Sequence, residues 1–466
     1  MTAAPAGGLR GSAGVTAAPA VTPRSELHPL WIALLLFTVF TVSRIHQYYA
    51  VVGAMRPALL LFVFVVGFAA IRPRLLTASN LVRQWPGKVV IALGVLSCLS
   101  AVFGISLGSS AFFIISDFGK TVIYTCTLIL AFRDWQDVSR LAWAYVIASG
   151  IIVILSLFVF GISKTQGGLT YDANDIGLVL LVGLPLTILV FQTSGWRGRL
   201  LSAATLLGIV VTIAKSTSRG AFVGLLLEGV ALLVLLKGVS VAKRAGAVVV
   251  IAVALALGAR SDYWDEIATL IHPTQDYNWT RKDGRKEIAK RGIGYMLEYP
   301  VFGIGAGNFR MAEGTISDKA RYAATGQGVS WRAAHNSYVQ VGAELGIPGL
   351  LLWSGLVFGC IAGGYRLRKR IPERWQRGSP DQRFLCHAST ALPIAMLGFA
   401  VSSFFVSHAY TDPIYIQAAL LSGVYIGVAR RLRPIRLRRS AVSAVRQPPG
   451  RAAGLPALRP GESLAR

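Results

Sequence analysis

Apolar runs long enough to cross a bilayer recur from residue 30 to residue 430 of this chain, and a single polar stretch, residues 260–335, breaks the series. A chain built this way cannot bury its apolar surface in one soluble core. Its 15% charged residues compare with roughly 25% in soluble domains, and its mean hydropathy is +0.56. The pattern predicts an all-α polytopic membrane protein of about twelve transmembrane helices with one large, mostly helical loop. Residues 1–27 and 433–466, rich in Ala, Pro and Arg, read as disordered cytoplasmic tails, the first span acting as an uncleaved anchor. Between them lie spans one to nine (28–259), the loop (260–335) and spans ten to twelve (336–432).

Orientation follows from the basic residues. The even-numbered connections carry eighteen Lys and Arg, the short odd-numbered ones five. By the positive-inside rule both termini are cytoplasmic and the large loop faces outward. Much of the net charge of +26 is thus a topology signal and not a nucleic-acid surface. Cys98, Cys126, Cys360 and Cys386 lie far apart in or beside apolar segments and read as small buried thiols.

The outward loop nevertheless holds eleven Lys and Arg, against nine Asp and Glu. Long loops cross regardless of charge, so topology does not account for them. A basic surface above a bilayer suits an anionic ligand such as a phosphate, although most of these side chains read equally as a solvated face. Arg285 stands out. Ile288, Gly292, Tyr295 and Tyr299 recur at helical spacing behind it, Asp283 is a candidate N-cap, and Pro300 stops the helix. An Arg at a helix N-terminus is placed to clamp a phosphate. The following Gly303-Ile304-Gly305-Ala306-Gly307-Asn308 lacks the strand a dinucleotide fingerprint needs and reads as a tight turn where backbone approaches backbone.

Ser218-Arg219-Gly220 forms a second candidate, an Arg held between two apolar spans with almost no loop, and Lys215 adds charge one turn earlier. The third is His335 in His335-Asn336-Ser337-Tyr338, since an imidazole accepts a proton near neutral pH. Glu344 falls on the opposite side of the helix that follows, whereas Tyr338 and Gly342 share the histidine's face. Tyr171-Asp172-Ala173-Asn174-Asp175 lies on the same outward side, where Asp172 and Asn174 could contact sugar; Tyr48, Tyr49 and Trp331 could stack on one. Asp276 and Asp283 near His272 do not have metal-ligand spacing, so neither metal nor cofactor is expected.

Ser218-Arg219-Gly220, Gly284-Arg285, the run from Glu298 through Pro300 and Gly303-Ile304-Gly305 to Phe309, and His335-Asn336 with Glu344 and Gly346 occur in that order. Across residues 218–350 this resembles the O-antigen ligase and O-antigen polymerase superfamily of bacterial inner membranes. The resemblance implies a metal-independent glycosyltransferase. Its donor would be a saccharide on undecaprenyl diphosphate, its acceptor lipid A–core for a ligase or a second lipid-linked unit for a polymerase. It also implies that Arg219 and Arg285 bind the diphosphate, with Lys215 adding charge, and that His335 handles the acceptor proton. Asn336, Tyr338, Glu344, Asp172 and Asn174 would support the sugar or the site. One departure is Ala289, where the family commonly has an aromatic residue.

A transporter or flippase for an anionic solute or lipid is the competing class. Asp117 and Lys120, one turn apart in the fourth apolar run, could form a buried pair, and Pro185, Pro348 and Pro393 interrupt spans. No repeat halves are evident. Ligase and polymerase chemistry are not distinguished by these residues.

Overall fold

The computed structural model describes residues 27–162, 171–235, 240–258, 261–269, 284–317 and 332–432, with residues 272, 274 and 320 besides. Every regular element among them is helical. Leaving short turns unnumbered, the helices before the loop are α1 (Pro29–Ser43), α2 (Pro57–Ile71), α3 (Trp85–Phe103), α4 (Leu107–Ala131), α5 (Trp135–Val159), α6 (Ala173–Thr193), α7 (Trp196–Lys215), α8 (Arg219–Leu235) and α9 (Val241–Gly258). The loop contributes α10 (Ser261–Ala268), α11 (Arg285–Glu298) and α12 (Phe309–Thr315). Then follow α13 (Ser337–Arg370), α14 (Pro380–Ser402) and α15 (Asp412–Leu432).

Among the described residues nine helices are long and apolar enough to cross a membrane, which makes the chain a multi-pass membrane protein. The three other predicted spans correspond to α1, which is apolar but shorter, α8 and α9. Burial separates centre from rim: 83% of the apolar windows of α14 and α15 and 78% of that of α6 are buried, against 11% for the span ending at Ile71. Helix α6 packs on α14, α7, α5 and α8, and α14 packs on α13 and α8. Helices α6 and α14 continue through Pro185 and Pro393, whose missing N–H bonds do not end them. Cys360 and Cys386 are buried as expected, but Cys98 is exposed on the rim.

Helix α13 is the exception to straight geometry. Gly346 adopts φ 71° inside it, so the chain runs as a short helix from Ser337, a kink, and a longer helix. The kink receives the turn after α11. Ile347 N–H donates to Pro300 O, Ile304 N–H to Ala343 O and Gly305 N–H to Glu344 O. Gly303, Gly305 and Gly307 also have positive φ. A Cβ on Gly303 would lie 2.4 Å from the Glu344 carbonyl carbon, so backbone meets backbone here as the glycine spacing predicts.

Candidate active site

Helix α11 carries Arg285 in its first turn. It ends at Glu298, and its buried face is Ile288, Gly292 and Tyr295, as the spacing predicts. The N-cap position is Gly284, with no side-chain cap; the proposed cap Asp283 lies outside the described residues. Two glycines let α11 lie against α13: a Cβ on Gly292 would meet Val339 at 2.4 Å, and one on Gly342 would meet Met296 at 2.6 Å. This contact holds α11 against α13, whose N-cap Asn336 follows His335.

His335 is half-buried with φ 49°, a left-handed conformation that non-glycine residues rarely take. The segment between α14 and α15 holds it there. His335 N–H donates to Ser407 Oγ (2.8 Å). Ser337 N–H donates to Ser403 O (2.8 Å), Ser337 Oγ to Val406 O (2.8 Å), and His408 N–H to Ser337 Oγ (2.9 Å). Burial lowers the His335 pKa, and the Arg285 guanidinium lowers it further, while Asp172 and Asp175 oppose the shift and Arg310 adds to it. One imidazole is therefore within the electrostatic reach of two cations and two carboxylates.

Both carboxylates come from the N-terminus of α6, where they form a capping box. Asn174 N–H and Asp175 N–H donate to Asp172 Oδ1 (2.7 and 2.8 Å), and Asp172 N–H donates to Asp175 Oδ2 (3.1 Å). The other Asp175 oxygen pairs with His408 Nε2 at 2.9 Å. His408 is buried, and its Nδ1 is 2.7 Å from Thr411 Oγ1. Asn174 reaches the second predicted arginine: Ser218 Oγ donates to Asn174 Oδ1 (2.8 Å) and accepts from Ala221 N–H (3.2 Å). Thr217, at φ 54°, turns the chain sharply into Ser218 and Arg219.

Arg219 opens α8 and is buried. Its Nη1 donates to Thr269 Oγ1 (2.8 Å) and its Nε lies 3.5 Å from Glu266 Oε1, so the end of α10 aims the guanidinium. The 403–411 segment braces this side too. Ser402 Oγ donates to Gly220 O (3.2 Å), and a Cβ on Gly220 would meet the Phe405 ring at 2.8 Å. Arg219, Arg285, His335, Asp172 and Asn174 thus belong to one end of the bundle, tied together by α6 and the 403–411 segment.

Other predicted residues have different duties. Asn336 is the N-cap of α13, its Oδ1 accepting from Tyr338 N–H and Val339 N–H. Tyr338 serves the packing of α13 on α14: its hydroxyl donates to Ala400 O (3.1 Å), and its ring stacks on Phe404 and meets Trp353 edge-on. Glu344 accepts from Gly307 N–H (3.0 Å) and Phe309 N–H (3.1 Å), pinning the glycine turn. Lys215 is exposed at the end of α7. Tyr48 and Tyr49 pack on Phe160, so both rings are already engaged, and Trp331 lies outside the described residues. Asp117 and Lys120 are not a buried pair, for Asp117 is exposed and accepts from Ser116 Oγ (2.6 Å).

Within the loop, two cations make local ion pairs. Arg291 makes a two-pronged contact to Glu313 (2.8 and 2.6 Å), which also accepts from Tyr295 O–H, and Lys290 pairs with Glu287. The sequence did not single out His408, Glu266, Thr269 or Ser407, and it placed Asp175 only within the 171–175 run. A polar run, Ser407-His408-Ala409-Tyr410-Thr411-Asp412, between two apolar segments on the loop's side was the available signal for the first of these. Among the described residues no group of three His, Cys, Asp or Glu could hold a metal ion.

No curated protein matches the chain. Residues 203–354, from within α7 to within α13, match the family model described as O-Antigen ligase, and Arg219, Arg285 and His335 all fall inside that stretch. The chain carries an O-antigen ligase superfamily region across these residues.

Proposed function

We propose that this protein is an O-antigen ligase-like glycosyltransferase that moves a saccharide from undecaprenyl diphosphate to an acceptor sugar, lipid A–core, at the periplasmic face of a bacterial inner membrane. The family match supports a membrane glycosyltransferase of the ligase or polymerase type. The observation that carries the reading is the half-buried His335 beside the helix-start Arg285 and the carboxylates of α6. A polymerase, joining two lipid-linked units, would use the same centre with a different acceptor.

In this reading the lipid-linked donor places its diphosphate against Arg285, at the positive end of α11, and Arg219, at the start of α8. His335, neutral at working pH, takes the proton of the acceptor hydroxyl as that oxygen bonds to the anomeric carbon. The bond from that carbon to the diphosphate oxygen breaks, its electron pair leaves with the phosphate, and the arginines neutralise the growing charge. Asp172 and Asp175 stabilise the imidazolium that results. Glu266 and Thr269 keep Arg219 oriented, and Lys215 adds long-range attraction for the donor.

The test is transfer from a glycan-loaded undecaprenyl diphosphate in membranes holding this protein, offered either lipid A–core or a second lipid-linked unit. Transfer to lipid A–core supports the ligase reading. Chain growth on the lipid-linked unit alone would replace it with the polymerase reading, and transfer to neither would reject both.

A further inference from the structure

A polar cavity of about 300 Å³ opens on the far side of Thr411 from His408. Its walls come from the residues after α1, the start of α2, the middle of α4 and the segment before α15. Arg44, Gln47, Asp117, Lys120, Thr121 and Asp412 supply its polar groups. Two backbone irregularities place them. Residues Ile114–Phe118 form a π-turn inside α4, a rare distortion that recurs at functional sites, and it carries Asp117. Arg44 has φ 49°, the left-handed C-cap that ends α1. Only a thin layer separates the cavity from His408, the partner of Asp175. The Arg44 guanidinium lies 4.1 Å from the centre of the Tyr171 ring, and that ring lies 6.0 Å from His408. Thr411 lines the cavity on one side and holds His408 Nδ1 on the other.

The lining selects the ligand class. Two cations and two carboxylates face one space, with hydroxyl and amide groups between them. A phosphate would meet repulsion from Asp117 and Asp412, and an ammonium from Arg44 and Lys120. Sugar hydroxyls suit both signs, because they donate to carboxylates and accept from guanidinium and ammonium groups. The volume lies at the small end of ligand pockets, which run from about 300 to 1,000 Å³.

We infer that this cavity is a carbohydrate-binding subsite and, resting on the transferase reading above, that it holds a saccharide of the acceptor at the end of the bundle that carries His335. The test uses the purified full chain in nanodiscs and a panel of methyl glycosides of the common hexoses and N-acetylhexosamines at millimolar concentration. At least one glycoside is expected to raise the Tm of the wild-type protein. The rise should vanish in Asp117→Asn and in Gln47→Ala, whose sugar-free Tm reports that each folds. In the transfer assay the same variants should raise the acceptor KM about tenfold while kcat and the donor KM hold, the loss expected for a hydrogen bond made to the bound sugar. Sugar-independent Tm together with an unchanged acceptor KM would overturn the subsite while leaving the transferase reading standing. Glycoside binding that depends on Asp117, in a protein that transfers nothing, would do the reverse.

Discussion

A general base is useful only while it is unprotonated, and the surroundings of His335 work to keep it so. Burial and the Arg285 charge hold its pKa below the ordinary histidine value, with Asp172 and Asp175 acting against them. A lowered histidine pKa extends the neutral form to more acid conditions. The acidic limb of a kcat/KM–pH profile should therefore fall below about pH 6.5, and a limb above that value would contradict the assignment of His335 as base. The loop cations make a paired prediction. Arg285→Gln should lower transfer about 100- to 1,000-fold, as the loss of a charge-stabilising donor does. Arg291→Gln strands the buried Glu313 carboxylate with Tyr295 as its remaining hydrogen-bond donor among those described, and should cost about 3 kcal/mol of stability while kcat is kept. Thermal unfolding and kinetics on both variants decide it. Equal effects of the two on transfer would mean that the charge of the loop, and not the position of Arg285, matters.

At the scale of the element, what was legible in the sequence was what leaves a local mark. The face of α11 follows from helical spacing, and the glycine turn from residues that only glycine tolerates at positive φ. Gly346 also has a local cause, a left-handed kink against Pro300 O, where a Cβ would lie at 2.6 Å. Gly346→Ala should lose about 1–3 kcal/mol from the backbone conformation alone, more from the clash, and should lower Tm measurably in detergent; an unchanged Tm would show that the kink is not required. The brace from Ser403 to Thr411 left only its polarity between two apolar segments. Its work lies in contacts made across the chain, Ser407 to His335, His408 to Asp175 and Phe405 against Gly220. No spacing rule could announce these, because each partner is remote in sequence. For the same reason Tyr338, one helical position from the site in the sequence, turns out to serve the α13–α14 contact.

Across the whole molecule, the candidate residues gather at one end of a helical bundle whose other end gathers the connections rich in Arg and Lys. That asymmetry is the physical basis for the proposed orientation, with the site facing away from the cytoplasm. A cysteine introduced at the exposed Thr315 in a background lacking the four native cysteines should react with an impermeant thiol reagent added to intact cells. Reaction only after lysis would invert the orientation and remove the lipid-linked donor from the site's reach. The central claim is that Arg285 and His335 together transfer a glycan from a lipid diphosphate. It is tested most directly by single-turnover transfer from lipid-linked glycan in membranes carrying wild-type protein, Arg285→Ala or His335→Ala, each folded and equally abundant. The account predicts transfer by the wild type and a loss of at least about 100-fold in each variant. Full transfer by both variants to every acceptor would contradict it.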